Sequence, residues 1–188
     1  MIKRILKKIV NQFYIVEKVY KVDLKDKYTI DNAYDYLVMD ISQINLMFEE
    51  HKTEVDYSDV LKQRIEDHNF RTFAIKKGNS FCGFFNIAFD TCYDNITGYY
   101  FNKDNKDNIH LFHDYTFKKW RGKGVHKASI IYRMQYGIKN NKKSATTAIV
   151  KNNIASEKSY LSCGFKHVES LIALKFFKIK IKLIKRAI

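Results

Sequence analysis

The stretch from residue 109 to residue 184 constrains the fold of this chain more than any other. "IHLFHDYTF" (109–117) has the form of a strand, and a short turn holding Arg121-Gly122-Lys123-Gly124 follows it. Apolar residues then recur at helical spacing over 123–139, "SATTAIV" (144–150) is strand-like, and 154–163 is helical again. Residues 165–184 alternate apolar and basic side chains, as strands do. Such an order is a βαβα unit, which implies a layered α/β domain. Upstream the pattern is more antiparallel. "FYIVEKVYKVDL" (13–24) is rich in β-branched and aromatic residues and reads as a strand. Residues 41–52 and 58–68 read as helices, the second with Ser58 as N-cap. "FRTFAIKKGNSFCGFFNIAFD" (70–90) is a hairpin around Lys77-Gly78-Asn79, and a further strand is expected near 96–101 ahead of the polar connection 102–108. The expected fold class is α/β (α+β), one domain spanning 1–188.

Composition limits what such a domain can be. With 46% apolar residues the chain can bury a core, which excludes a disordered polypeptide. No apolar run reaches the roughly 18–20 residues of a membrane-spanning helix, and no secretory signal is expected. Cys82, Cys92 and Cys163 form no CxxC pair, so free thiols in a reducing, cytoplasmic compartment are expected, with no metal. There the sequon Asn95-Ile96-Thr97 has no meaning. The net charge of +14 is unevenly placed: Lys3, Arg4, Lys7 and Lys8 at one end and six basic residues within 171–188 at the other, neither end holding an acid. This implies an anionic partner or a lysine-biased composition. Residues 2–13 place Ile2, Ile5, Leu6, Ile9, Val10 and Phe13 on one helical face, opposite the cations. That basic amphipathic segment, 1–13, would suit an anionic membrane surface or packing against the sheet.

The glycine turn has its own chemistry. The chain holds only seven glycines, yet two stand one residue apart between cations. The first turn of a helix offers unpaired N–H groups and partial positive charge, and glycine lets backbone approach a ligand closely. Arg121, Lys123 and Lys127 would add charge-assisted contacts. The turn is neither a GxxxxGK[ST] loop nor a GxGxxG fingerprint, since residue 127 is lysine.

A second motif, "NIASEKSYLSCGF" (153–165), places Asn153 and Ala155-Ser156 in the first turn of a helix and Tyr160 two turns on along the same face, with Gly164 closing it. Together, Arg121-Gly122-Lys123-Gly124-Val125-His126 and the set Asn153, Ala155, Ser156, Tyr160, Gly164 and Phe165 resemble the two signatures of the GNAT family of CoA-dependent N-acyltransferases. The resemblance covers about 109–166 and extends less firmly back to about 41. It implies a mixed central sheet, splayed at an acyl-CoA cleft and flanked by helices, with acetyl-CoA as acyl donor. It assigns the backbone of Asp114, Tyr115 and Thr116 to the pantetheine arm. Gly122 to Lys127 would wrap the pyrophosphate, Asn153 and Ser156 would contact the donor, and the Tyr160 hydroxyl would protonate the departing thiolate.

Two positions depart from the family pattern. His126 stands where a small residue is usual, so its ring either crowds the helix start or points outward; some surface-polysaccharide enzymes of the family tolerate a larger residue there. Ala148 occupies the position where certain members carry a glutamate. His113 is the side-chain candidate for the base, with water as the alternative. Strand alternation puts His113 on one face and His110 with Asp114 on the other. For the acceptor, an amino sugar of a nucleotide- or lipid-linked glycan precursor is the leading expectation, held at the inner face of the membrane by the basic ends. Tyr93, Tyr99, Tyr100 and Phe101 would line its pocket or fill the core. The alternatives are acetylation of a peptide or protein amine, for which Glu49, Glu50 and Glu54 are the only acids in view, and a non-catalytic basic protein that binds nucleic acid or a membrane surface. Nucleic acid is not the expected partner.

Overall fold

The alternation seen in the sequence becomes one long ladder. The strands are β1 (Tyr14–Asp23), β2 (Asp35–Val38), β3 (Phe70–Lys77), β4 (Ser80–Ala88), β5 (Cys92–Tyr93), β6 (Tyr100–Phe101), β7 (Asn108–Thr116), β8 (Ser144–Val150), β9 (Lys166–Phe176) and β10 (Ile179–Arg186). In the computed structural model, which describes residues 14–25, 28–52, 54–176 and 179–186, eight of them join in the order β10-β9-β1-β8-β7-β4-β3-β2, while β5 and β6 make a separate ribbon. The amphipathic segment 1–13 lies outside the described residues. Of the basic region 171–188, the two strands β9 and β10 pair antiparallel, as the alternation suggested.

Among the described residues four α-helices cover the sheet: α1 (Ile41–His51), α2 (Ser58–Glu66), α3 (Val125–Lys139) and α4 (Ile154–Ser162). Asp40 starts α1 with a capping box, its carboxylate taking the Gln43 N–H at 2.8 Å while Gln43 Oε1 takes the Asp40 N–H at 3.0 Å. Ser58 does not cap α2 as expected. It is the first helical residue, and its hydroxyl and N–H both turn back to the Asp56 carboxylate at 3.1 and 3.4 Å. The strand expected at 96–101 contracts to Tyr100–Phe101. The reason is local: the Asp94 carboxylate accepts the N–H groups of Ile96 (3.1 Å) and Thr97 (2.7 Å) and folds 94–97 into a turn.

Two features of β7 position the site. The first is its partner. Among the described residues the β7·β8 ladder is the one parallel pairing, and it runs from Asn108↔Ser144 only to Leu111↔Thr147. Beyond that point β7 stays with β4, and β8 stays with β1. The two strands part, so the sheet is mixed and splayed, as the resemblance implied. The second is a bulge. Pairing shifts between Phe84↔Tyr115 and Asn86↔Phe112, and His113 sits at φ 48°. The extra residue reverses the expected alternation. His113 now shares the α2 face with Phe112, both meeting Arg64, while Asp114 joins Leu111 on the α3 face. Simple alternation rightly parts His113 from Asp114 but wrongly groups His110 with Asp114: His110 lies on the Phe112 side, stacked on Phe101, because period-two counting fails across a bulge.

Candidate active site

The gap between β7 and β8 holds two adjoining clefts. The first, about 460 Å³, is lined by Asp114, Tyr115 and Thr116 from β7, by Arg121, Gly122 and Gly124 of the turn, by Val125, His126 and Lys127 of α3, and by Asn153 and Ser156 of α4's start. Both sequence motifs thus meet at one place. Of the residues expected to bind the donor, only Lys123 is absent from this lining; its ammonium lies 5.0 Å above the Trp120 ring and its carbonyl accepts from the Tyr34 hydroxyl.

The turn is built for backbone exposure. Gly122 and Gly124 have φ of 73° and 80°, a region side-chain-bearing residues rarely adopt, and a Cβ on either would meet no protein atom within 4 Å. Gly124 is the N-cap of α3 and supplies no side-chain acceptor, so the first N–H groups of the helix face the cleft uncapped. Such an arrangement suits an anion such as a pyrophosphate. Trp120 was not foreseen. It lines the cleft, and its indole N–H has no partner among the described residues.

Asp114 does more than the backbone contact expected of it. Its carboxylate receives a two-pronged ion pair from Arg133 (2.6 and 2.7 Å), the Tyr160 hydroxyl at 2.8 Å, and His126 Nε2 at 3.1 Å. The His126 ring therefore points inward, settling the departure noted at that position, and its backbone N–H still belongs to the first turn of α3. Burial alone would raise the Asp114 pKa; the Arg133 charge, with His126, overrides it and holds the carboxyl well below the usual carboxylate range. Tyr160 is 2% exposed, and burial together with the Asp114 charge pushes its phenol far above the usual value. It keeps its proton throughout the physiological range. Handing that proton to a sulfur requires rotating the hydroxyl away from Asp114.

The second cleft, about 530 Å³, shares Asp114, Asn153 and Ser156 with the first, and Tyr160 is part of its lining. Its wall carries Tyr57, Tyr93, Phe101 and Phe112. The aromatic run expected to line an acceptor pocket is divided: Tyr93 and Phe101 reach this cleft, Tyr99 packs on the Phe101 ring (4.7 Å), and Tyr100 is half exposed. His113 also faces the cleft, with Nδ1 accepting from Arg64 at 2.7 Å, and burial plus the Arg64 charge push its pKa down to about 4. To take a proton it must first give up Arg64. His110 is pushed down to about 3 by burial and stacks on Phe101 at 3.9 Å.

Apart from Asp114, the acids of this cleft are ones the sequence did not advertise. Glu49, Glu50 and Glu54 are used elsewhere, in bonds to Lys52, to the Phe81 N–H and to Tyr115 with the Lys118 N–H. Glu17 and Asp94 line the cleft instead. Glu17 stands beside Val150 across the β1·β8 ladder, two residues from the level of Ala148. Burial first, then the Asp94 charge and a hydrogen bond with it, raise the Glu17 pKa to about 8. A raised carboxyl binds its proton more tightly folded than unfolded, so its contribution to stability falls as pH rises from about 4.5 towards about 8. Glu17→Gln mimics the protonated acid. The variant is expected to match wild type in melting temperature near pH 5 and to exceed it near pH 8; an equal difference at both pH values would contradict this. Among the described residues no His, Cys, Asp or Glu cluster is arranged to hold a metal ion, and no helix is long and apolar enough to cross a membrane.

No family model matches the sequence, and no curated protein sequence matches it either. Solved structures do match in shape. A functionally unknown conserved protein from Staphylococcus epidermidis aligns with TM-score 0.60 at 13% identity, covering 98% of this chain and 68% of that one. A candidate GNAT-family acetyltransferase from Novosphingobium aromaticivorans aligns with TM-score 0.57 at 11% identity, covering 93% and 66%. AAC(6′)-Iy, in complex with the bisubstrate analogue CoA-S-monomethyl-acetylneamine, aligns with TM-score 0.54 at 16% identity, covering 71% and 91%. With its splayed sheet, its glycine turn and these likenesses, the described chain has the fold of the GNAT acetyltransferases.

Proposed function

We propose that the protein is an acyl-CoA-dependent N-acyltransferase that moves an acetyl group from acetyl-CoA to a primary amine. The observation that carries this reading is the joining of an uncapped, glycine-led helix start to Asn153, Ser156 and Tyr160 across the gap between β7 and β8. The pyrophosphate would lie on the N–H groups of Gly122 to Lys127. The pantetheine arm would run along the β7 edge at Asp114 to Thr116, which β8 has left unpaired. The thioester carbon would then sit where the two clefts meet. Attack by the amine forms the C–N bond and expels the thiolate, and Tyr160 is the proton donor within reach of that junction. His113 is the proposed base once Arg64 withdraws; a water in the second cleft is the alternative.

The acceptor class we favour is an amino sugar, as in a glycan precursor, because a cleft with aromatic walls and, besides the Arg133-paired Asp114, the carboxyl groups of Glu17 and Asp94 suits a ring that bears an amine. Peptide amines are the second class to test. Calorimetric titration with acetyl-CoA, with 3′-dephospho-CoA and ATP as controls, tests the donor site; no binding of acetyl-CoA would refute the reading. Tyr160→Phe is expected to leave acetyl-CoA affinity unchanged and to lower kcat by about 100-fold, the lower range for a lost general acid. An unchanged kcat would remove Tyr160 from the mechanism and leave the donor site intact.

A further inference from the structure

We propose that Glu17 and Asp94 form the seat for the acceptor's ammonium group, so that the second cleft takes a primary amine in its cationic form. The proposal rests on the acyltransferase reading for the fate of that amine, but the seat itself is read from the cleft alone. Glu17 is 3% exposed, yet its Oε2 has no hydrogen-bond partner among the described residues. A buried carboxyl oxygen left without a donor is costly, and native proteins rarely leave one so unless something else fills the position. Glu17 lines the cleft, so the missing donor can come from a ligand.

Asp94 is fixed opposite it. Its carboxylate is held by the N–H groups of Ile96 and Thr97 and by the Thr97 hydroxyl, and it lines the same cleft as Glu17, near enough for its charge to raise the Glu17 pKa. Two carboxyl groups so close hold one proton between them, because both cannot carry charge in a buried place. An ammonium changes that balance. It supplies several N–H donors and one positive charge, enough to displace the shared proton and satisfy the orphan oxygen.

The other charged and titratable groups facing the cleft leave this role to the carboxyl pair. From β7, Asp114 is committed to Arg133, and His110 and His113 are held neutral by burial. From α2, Arg64 is turned to His113 and lies 4.8 Å over the Phe112 ring, with Tyr57 beyond. Cys92 keeps its proton, its thiol being pushed up to about 12 by burial. Trading one proton for one ammonium therefore leaves the charge of the cleft unchanged. The aromatic wall would hold the body of the same molecule by its rings.

In the reaction the seat also disposes of a proton. The ammonium returns one proton to the carboxyl pair and becomes a neutral amine; its nitrogen bonds to the acetyl carbon as the C–S bond breaks. A second proton from nitrogen goes to the CoA thiolate, and the pair is back in its resting one-proton state, the net proton having passed to solvent when the amine bound. The sum is R–NH3+ plus acetyl-CoA giving the amide, CoA and H+.

The test is calorimetry on the CoA-loaded protein with tyramine, spermidine and glucosamine, and with N-acetyltyramine as the uncharged control, in buffers of different ionisation enthalpy. At least one primary amine should bind saturably near pH 7 and release about one proton, while the control should not bind. Glu17→Gln should abolish the proton release and weaken that amine by about tenfold or more, with acetyl-CoA affinity unchanged. Amine binding without proton release, affinity undiminished in Glu17→Gln, or no binding of any of these amines would each overturn the proposal. Failure of wild type to bind acetyl-CoA would instead sink the acyltransferase reading, and proton-releasing amine binding would outlast it.

Discussion

Gly124→Val is expected to remove saturable acetyl-CoA binding, weakening it by about 100-fold or more while the protein stays folded, because about 3 kcal/mol of lost contact suffices for such a change. Two effects act together. The backbone at φ 80° is hostile to a β-branched residue, at a cost of about 1–3 kcal/mol. And since no protein atom beyond the adjoining chain lies within 4 Å of the position a Cβ would occupy, the added side chain enters the open space of the donor cleft, where a ligand would lie. The matching control is Gly78→Val in the β3–β4 hairpin, where φ is 58° and the space is equally open. It suffers similar strain outside the lining of the donor cleft, so it should lower the melting temperature and leave acetyl-CoA affinity intact. If both variants bind acetyl-CoA as wild type does, the glycines of the turn serve the backbone only and the phosphate site lies elsewhere.

What could be read in the sequence follows a physical line. The glycine turn and the Asn153–Tyr160 helix were legible because their chemistry is local: positive φ, helix termini and side chains one or two turns apart are written in short runs of residues. The expected cleft and the splayed sheet came with them, and the structure joins eleven of the twelve expected donor residues in one lining. The acceptor side was not legible. Its acids come from β1 and from a turn 77 residues later, and nothing local marks Glu17 as buried or Asp94 as its partner. Asp94 lay hidden beside a sequon whose Thr97 turns out to cap its carboxylate. The His113 bulge was equally invisible, since one inserted residue leaves the hydrophobic pattern almost unchanged while exchanging the faces of all that follows. Arg133 sits at a helix position where a long cation would be taken as a solvated charge, yet it is wholly buried.

That arginine carries the other large effect. Arg133→Met is expected to destabilise the protein by about 3–5 kcal/mol, the usual result of removing one partner from a buried ion pair. Its guanidinium is satisfied on every side: Asp114 by two bonds, the Asn86 carbonyl at 2.9 Å, the Ser129 carbonyl at 3.2 Å, and the Phe85 ring 5.5 Å from its carbon. Without it, Asp114 is left a buried carboxylate facing only His126 and Tyr160. The pH dependence separates this cause from simple loss of packing. In wild type the depressed Asp114 pKa stabilises the fold above about pH 4, the ordinary carboxylate value, and that stability is lost as pH falls through the depressed folded value. In Arg133→Met, burial dominates and the folded pKa rises above the unfolded one, so the penalty grows with pH. The melting-temperature deficit should be larger near pH 7 than near pH 4.5, and Asp114→Leu added to Arg133→Met should recover part of it. A deficit that is constant with pH, or a double variant less stable than the single, would mean that methionine merely packs badly. The expected result gives the ion pair a positional meaning. Asp114 is the residue the His113 bulge turns onto the α3 face, and Arg133 holds it there, so the pair fixes the register of the β7 edge that borders both clefts.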